Sequence, residues 1–136
     1  MVLKDDTFQF RINYMRLNEQ LLNGSKVPTK RQLLRILMTI YDPLGLITLF
    51  TISLKILLQD VWRQKKDWED EISTEHHERF MKWVKILNML PMIQIPRCYS
   101  PKISQKYSIQ LHTFVNASAD AYAAVCYFRV LDGRRC

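Results

Sequence analysis

Thr7-Phe8-Gln9-Phe10-Arg11-Ile12 alternates, with Phe8, Phe10 and Ile12 on one side, which predicts a half-buried strand. Asn23-Gly24-Ser25 marks a turn. From Thr29 the period becomes helical: Leu33, Leu34, Leu37, Ile40 and Tyr41 recur on one face. Thr29 and Gln32 have capping-box spacing, and Asp42-Pro43 is the expected stop, because proline disfavours helical geometry in the residue before it. A second helix is predicted from Thr48 to Gln64. Phe50, Leu54, Leu57, Leu58 and Val61 form its buried stripe, and Lys55, Gln59, Arg63 and Lys66 lie mainly on its polar side. The short link between these helices makes them neighbours. A third helix is expected to start at a Ser73 or Thr74 cap, with Glu75 in its first turn. It would bury Phe80, Trp83, Val84, Leu87 and Leu90, and stop at Pro91.

Beyond Pro91 the period shortens again. Ile93-Gln94-Ile95 reads as a short strand ended by Pro96, and Pro101 with its Ser and Lys neighbours reads as a loop. Ile109, Leu111 and Thr113 alternate with Gln110, His112 and Phe114, and a second strand-like run spans Ala123 to Leu131. Asp132-Gly133 then signals a hairpin turn whose return strand is missing, so the chain is expected to be a fragment. The fold class predicted is α+β: a small bundle of about three helices, followed by a truncated antiparallel hairpin.

Composition narrows the setting. The chain has 136 residues, 48% of them apolar and 24% charged, which excludes disordered and low-complexity classes. Pro43–Leu54 is its most apolar stretch and is too short to span a bilayer, so it reads as core and no membrane partner is expected. The N-terminal residues do not form a signal peptide. Cys98, Cys126 and Cys136 are odd in number and lack a Cys-x-x-Cys spacing, which argues for an intracellular protein, cytoplasmic or nuclear.

Charge is segregated. Residues 1–66 carry net +6, residues 67–78 net −6 with no Lys or Arg, and residues 79–136 net +7, for a total of +7. Lys30, Arg31 and Arg35 fall in the first turns of the first long helix, where cations oppose the helix dipole. A solvated polar face accounts for them; contact with a phosphate backbone is the sharper reading.

Candidate chemistry is sparse. No Gly-rich phosphate loop, Gly-x-Ser-x-Gly elbow or His-Glu-x-x-His is present. His76-His77 reads as a pair of surface histidines and Cys98 as a quiet thiol, so no metal site is assigned. Asp120 and Asp132 are the only acids after Glu78, too few for a two-metal nuclease. No Asp-Thr/Ser-Gly triplet occurs; Asn116-Ala117-Ser118 is the nearest shape.

Several blocks together resemble the Pol polyprotein of BEL/Pao-type LTR retrotransposons, in that family's order and spacing. They are Pro28-Thr29-Lys30-Arg31, Ile40-Tyr41-Asp42-Pro43-Leu44-Gly45-Leu46 and Lys55-Ile56-Leu57-Leu58-Gln59, then Ile95-Pro96-Arg97-Cys98, Phe114-Val115-Asn116-Ala117-Ser118 and Ala121-Tyr122-Ala123-Ala124-Val125. The resemblance implies that residues 1–26 close a polymerase palm and that 27–92 form a thumb/connection-like helical region. It implies that 93–106 link onward and that 107–136 are the first strands of a truncated RNase H-like domain. It also implies that Lys30, Arg31 and Arg35 grip an RNA–DNA hybrid, or another nucleic acid, weakly and by its backbone, with the remaining Pol segments as further partners. The sequence departs from the family where its first RNase H carboxylate is expected, which is Asn116 here. Ala123 stands for a Gly and Leu49 for a Pro. Mg²⁺ therefore belongs only to the intact parent enzyme, whose reaction is reverse transcription with RNA cleavage, and this chain is expected to be a non-catalytic fragment without a cofactor. The alternatives are a standalone basic nucleic-acid-binding module and, from the family's peptidase heading alone, an aspartic-type peptidase.

Overall fold

The computed structural model describes residues 1–10, 18–98 and 108–131. Among them lie strands β1 (Val2–Lys4) and β2 (Thr7–Gln9), helices α1 (Glu19–Leu22), α2 (Lys30–Met38), α3 (Thr48–Arg63) and α4 (Thr74–Leu87), and strands β3 (Gln94–Pro96), β4 (Ser108–Ala117) and β5 (Tyr122–Leu131). The class is α+β, and the three long helices start where their periods predict, but α4 stops at Leu87 with Asn88 as its C-cap, short of the expected stop at Pro91, and Leu90–Met92 form a separate 3-10 turn. Met1–Arg97 form one compact unit and Cys98–Cys136 another.

Helix α2 opens on the expected capping box. The Thr29 hydroxyl accepts the Gln32 N–H, and the Gln32 side chain accepts the Thr29 N–H. The helix ends at Met38, earlier than the Asp42-Pro43 stop expected from sequence. The β-branched Thr39 is the C-cap, and its hydroxyl donates back to Ile36 O at 2.7 Å.

Asp42 instead builds the next corner. Gly45 N–H donates to Asp42 O, closing a turn with Asp first, Pro second and Gly last, an arrangement those residues favour. The Asp42 carboxylate accepts the N–H groups of Leu46 and Ile47, each at 2.9 Å. Ile47, the residue before α3, supplies no side-chain cap of its own, so Asp42 satisfies donors that would otherwise be bare. Gly45 sits at φ +71°, and a Cβ there would lie 3.1 Å from the Thr48 hydroxyl.

Leu54, Leu57 and Val61 of α3 pack with Leu33 of α2 and with Phe80 and Leu87 of α4 in one buried core. Phe50 is only partly buried. Its ring stacks on Trp83 at 4.8 Å, and its carbonyl accepts the Trp83 indole N–H at 3.2 Å. These contacts fix α4 against α3. Ser73 caps α4 through the His76 N–H, as predicted. The histidines, however, are not surface groups. His76 is 5% exposed, and its Nδ1 shares a 2.6 Å hydrogen bond with the Ser73 hydroxyl. His77 is half-buried, with Nε2 buried and unpartnered.

In the first unit β2 is the middle strand of an antiparallel sheet, β1-β2-β3. Asp5 and Asp6, at φ 50° and 56°, form the two-residue turn between β1 and β2; two positive φ values match the natural strand twist. Phe8 faces Ile95 across β2 and β3. Residues from the expected palm segment and the expected linker are thus hydrogen-bonded neighbours. Arg97 donates from its backbone to Asp6 O and from its side chain to the Asp6 carboxylate. The Asn23-Gly24-Ser25 turn is present, with Gly24 at φ +78° and Ser25 N–H donating to Asn23 Oδ1. Ile12, Pro101, Asp132-Gly133 and Cys136 lie outside the described residues.

The second unit's described part is the β4–β5 hairpin, paired from Ser108↔Leu131 to Ala117↔Tyr122. In its loop the Ser118 hydroxyl accepts the N–H groups of Asp120 and Ala121, and Ser118 N–H donates to Ala121 O at 2.8 Å. Leu111 faces Phe128 on one side of the ribbon and Phe114 faces Val125 on the other; all four are exposed.

The Asp42 corner predicts that Asp42→Ala lowers unfolding free energy by about 1–2 kcal/mol, the size of a lost helix cap. Gly45→Ala loses a similar ~1–2 kcal/mol through its left-handed backbone. Urea melts check both as a lower midpoint at unchanged slope.

Candidate nucleic-acid interface

The start of α2 is expected to offer the cations Lys30, Arg31 and Arg35 to a phosphate backbone. A helix leaves four unsatisfied N–H groups there, and here each has a partner. Thr29 and Gln32 satisfy each other through the capping box. Lys30 N–H donates to Asp70 O at 3.3 Å and Arg31 N–H to Trp68 O at 3.1 Å. Ile72 N–H returns a bond to Pro28 O at 3.1 Å, and Lys66 Nζ donates to Glu71 O at 2.7 Å. The connector between α3 and α4 is therefore bonded along the first turn of α2.

The three cations fare differently. Lys30 is 6% exposed, so its ammonium points into the fold. It donates to Lys66 O at 3.1 Å and lies 3.9 Å from the centre of the Trp62 ring and 5.6 Å from that of Trp68. The two indoles meet edge to face at 5.0 Å. An ammonium on an indole face keeps electrostatic compensation as it leaves water. Arg31 is half open to solvent, lies 5.5 Å from the Trp68 ring and pairs with Glu69. Arg35 is exposed and forms no ion pair with a described residue. Trp62, Trp68 and Glu69 are the residues that sequence reasoning missed. The available signal was Trp62, a large aromatic just off the apolar stripe of α3.

Between α3 and α4, Asp60 holds two guanidiniums: Arg79 at 2.8 Å and Arg63 at 3.1 Å. The Arg79 hydrogen bond holds the Asp60 carboxyl below the usual aspartate range. The charges of Arg79, Arg63 and His76 add to this, while burial opposes it. Arg79 also lines an open cleft of about 240 Å³ with Ser53, Ile56, Leu57 and Trp83.

In the hairpin Asn116 sits opposite Ala123, and its Oδ1 accepts the Ala117 N–H at 3.0 Å. Asp120 is in the loop beyond it. Among the described residues no three His, Cys, Asp or Glu side chains gather to hold a metal ion. Cys98 and Cys126 are exposed free thiols. No helix among the described residues is long and apolar enough to cross a membrane.

Two outcomes follow. Lys30→Met lowers stability by about 1–2 kcal/mol, through the lost cation–π contact and hydrogen bond, while the salt dependence of any nucleic-acid binding stays unchanged. Asp60→Asn lowers the melting temperature by about 2–5 °C at neutral pH. Because the folded-state carboxyl is held low, its contribution is complete above the unfolded-state value. It begins to fade below about pH 4 and disappears as pH falls through the lower folded-state value, so the two proteins converge only below that lower value.

The family described as Pao retrotransposon-like RNaseH-like domain matches residues 29–135. The curated proteins and solved structures compared with the chain gave no match. The matched span runs from the capping threonine of α2 through β5 and takes in parts of both compact units. The chain belongs to the Pao retrotransposon-like RNaseH-like domain family.

Proposed function

We propose that the chain is a non-catalytic segment of a BEL/Pao-type retrotransposon Pol polyprotein that holds nucleic acid by its backbone. The observation that carries the first half is Asn116. It occupies the strand position where an RNase H carboxylate is expected, and its side-chain oxygen already accepts the Ala117 N–H. A neutral amide brings no charge to a hard cation such as Mg²⁺. The nearest acid along the hairpin, Asp120, is in the turn. The residues present do not fit a magnesium centre, and no hydrolytic step is assigned to them.

The second half rests on the cations. The chain carries +7 overall. Arg35, Lys55, Lys82 and Lys85 are exposed and form no ion pair with a described residue. Exposed Lys and Arg side chains bind phosphates without reading sequence and release counterions as they do so. An RNA–DNA hybrid is the partner that suits a family built around RNase H.

Incubated with an RNA–DNA hybrid and Mg²⁺, the chain releases no RNA above the EDTA control, and Asn116→Asp does not restore cleavage. EDTA-sensitive turnover by the unaltered chain contradicts the non-catalytic half. In titrations at several salt concentrations, log K falls linearly with log salt, at about 0.9 per phosphate neutralised. Absence of binding at low salt contradicts the other half.

A further inference from the structure

The connector is the most acidic stretch of the chain and it lies on the most basic helix start. Residues 67–78 contain six acids and no Lys or Arg; Asp67, Glu69, Asp70 and Glu71 lie in the connector, and Glu75 and Glu78 lie in α4. Their backbone is tied to α2 by the Lys30, Arg31 and Ile72 N–H bonds, none of which depends on side-chain charge. The acids are not all used alike. Asp70 turns its carboxylate onto its own loop, accepting the Asp67 N–H at 2.9 Å. Glu69 alone among the connector acids pairs with an α2 cation, Arg31. Both members of that pair are well exposed, at 46% and 71% of their side chains. An exposed pair of this kind is weak and open to exchange.

We propose that the connector is a built-in competitor for polyanions: Glu69 occupies Arg31, and a nucleic-acid phosphate engages Arg31 by displacing it. The inference rests on the nucleic-acid reading above and adds a regulation to it. The chemistry is an exchange of one oxyanion for another on the same guanidinium, with no bond made or broken. Arg31 is suited to this because a guanidinium binds carboxylate and phosphate in the same fork geometry. Lys30 takes no part, since its ammonium is held on Trp62. The backbone bonds keep the connector in place while Glu69 lets go, so the exchange requires no unfolding.

The test compares charge-matched variants of the whole chain binding a short RNA–DNA hybrid. Glu69→Gln removes the competitor. Glu75→Gln removes the same charge from an exposed position in the first turn of α4, which enters no ion pair with a described residue. Thermal melts confirm that both are folded. Glu69→Gln binds about two- to fivefold more tightly than Glu75→Gln at low salt, the range expected on losing a weak exposed pair. Its salt slope matches that of the unaltered chain, because the same phosphate contact on Arg31 forms in both once Glu69 is displaced. In an Arg31→Gln background the two substitutions have equal effects. If the unaltered chain binds and the two variants match each other, net charge alone explains the gain and the competitor is overturned. If neither the unaltered chain nor Glu69→Gln binds at low salt, the nucleic-acid reading itself fails.

Discussion

The fold depends on how the first turn of α2 is closed. Four N–H groups at that helix end need acceptors, and two of them find carbonyls of the connector between α3 and α4. A buried donor left bare costs about 1–3 kcal/mol, so the connector cannot leave without a large loss. Its hold on α2 also sets the start of α4. Ile72 is 5% exposed and bonded to Pro28 O, and Ser73, the next residue, caps α4. The connector thus fixes the entry of α4, whose Trp83 then reaches Phe50 of α3. One backbone seam links the three long helices.

Electrostatics explain why an acidic segment fills this place. Cations in the first turn of a helix oppose its dipole, and α2 has Lys30 and Arg31 there with no acid. The connector supplies carbonyls for the N–H groups, Glu69 for Arg31 and Trp68 for the Lys30 ammonium, whose nearer ring, Trp62, comes from α3. The same arrangement limits what α2 offers a nucleic acid. Its backbone donors are taken and one of its three cations is buried. The outward cations Arg35, Lys55, Lys82 and Lys85 are exposed and form no ion pair with a described residue. In the hairpin the Asn116 side-chain oxygen is already engaged, accepting the Ala117 N–H of its own strand.

What sequence revealed follows from the range of the forces involved. Caps and helical stripes act within a few residues, so Thr29, Ser73 and the runs Leu54–Val61 and Phe80–Leu87 were readable and stand as expected. Strand β1 was not, because three residues give no measurable period, and Asp-Asp is a weaker turn signal than Asn-Gly. Lys30 misled because a lysine is ordinarily solvated; only its distant partners Trp62 and Trp68 make burial favourable. His76 misled similarly, since its reciprocal bond with Ser73 turns a polar ring into part of a cap. The early end of α2 followed from a hydroxyl at Thr39 competing with the helix, an effect smaller than the proline signal beyond it.

Amide hydrogen exchange at Lys30 and Arg31 tests the closed seam most directly. In an open helix the first-turn amides exchange as freely as coil. With their N–H groups bonded to Asp70 O and Trp68 O, the account predicts protection comparable to that of Leu33 in the core of α2. Free exchange at both positions, in a chain whose Leu33 amide is protected, would contradict it.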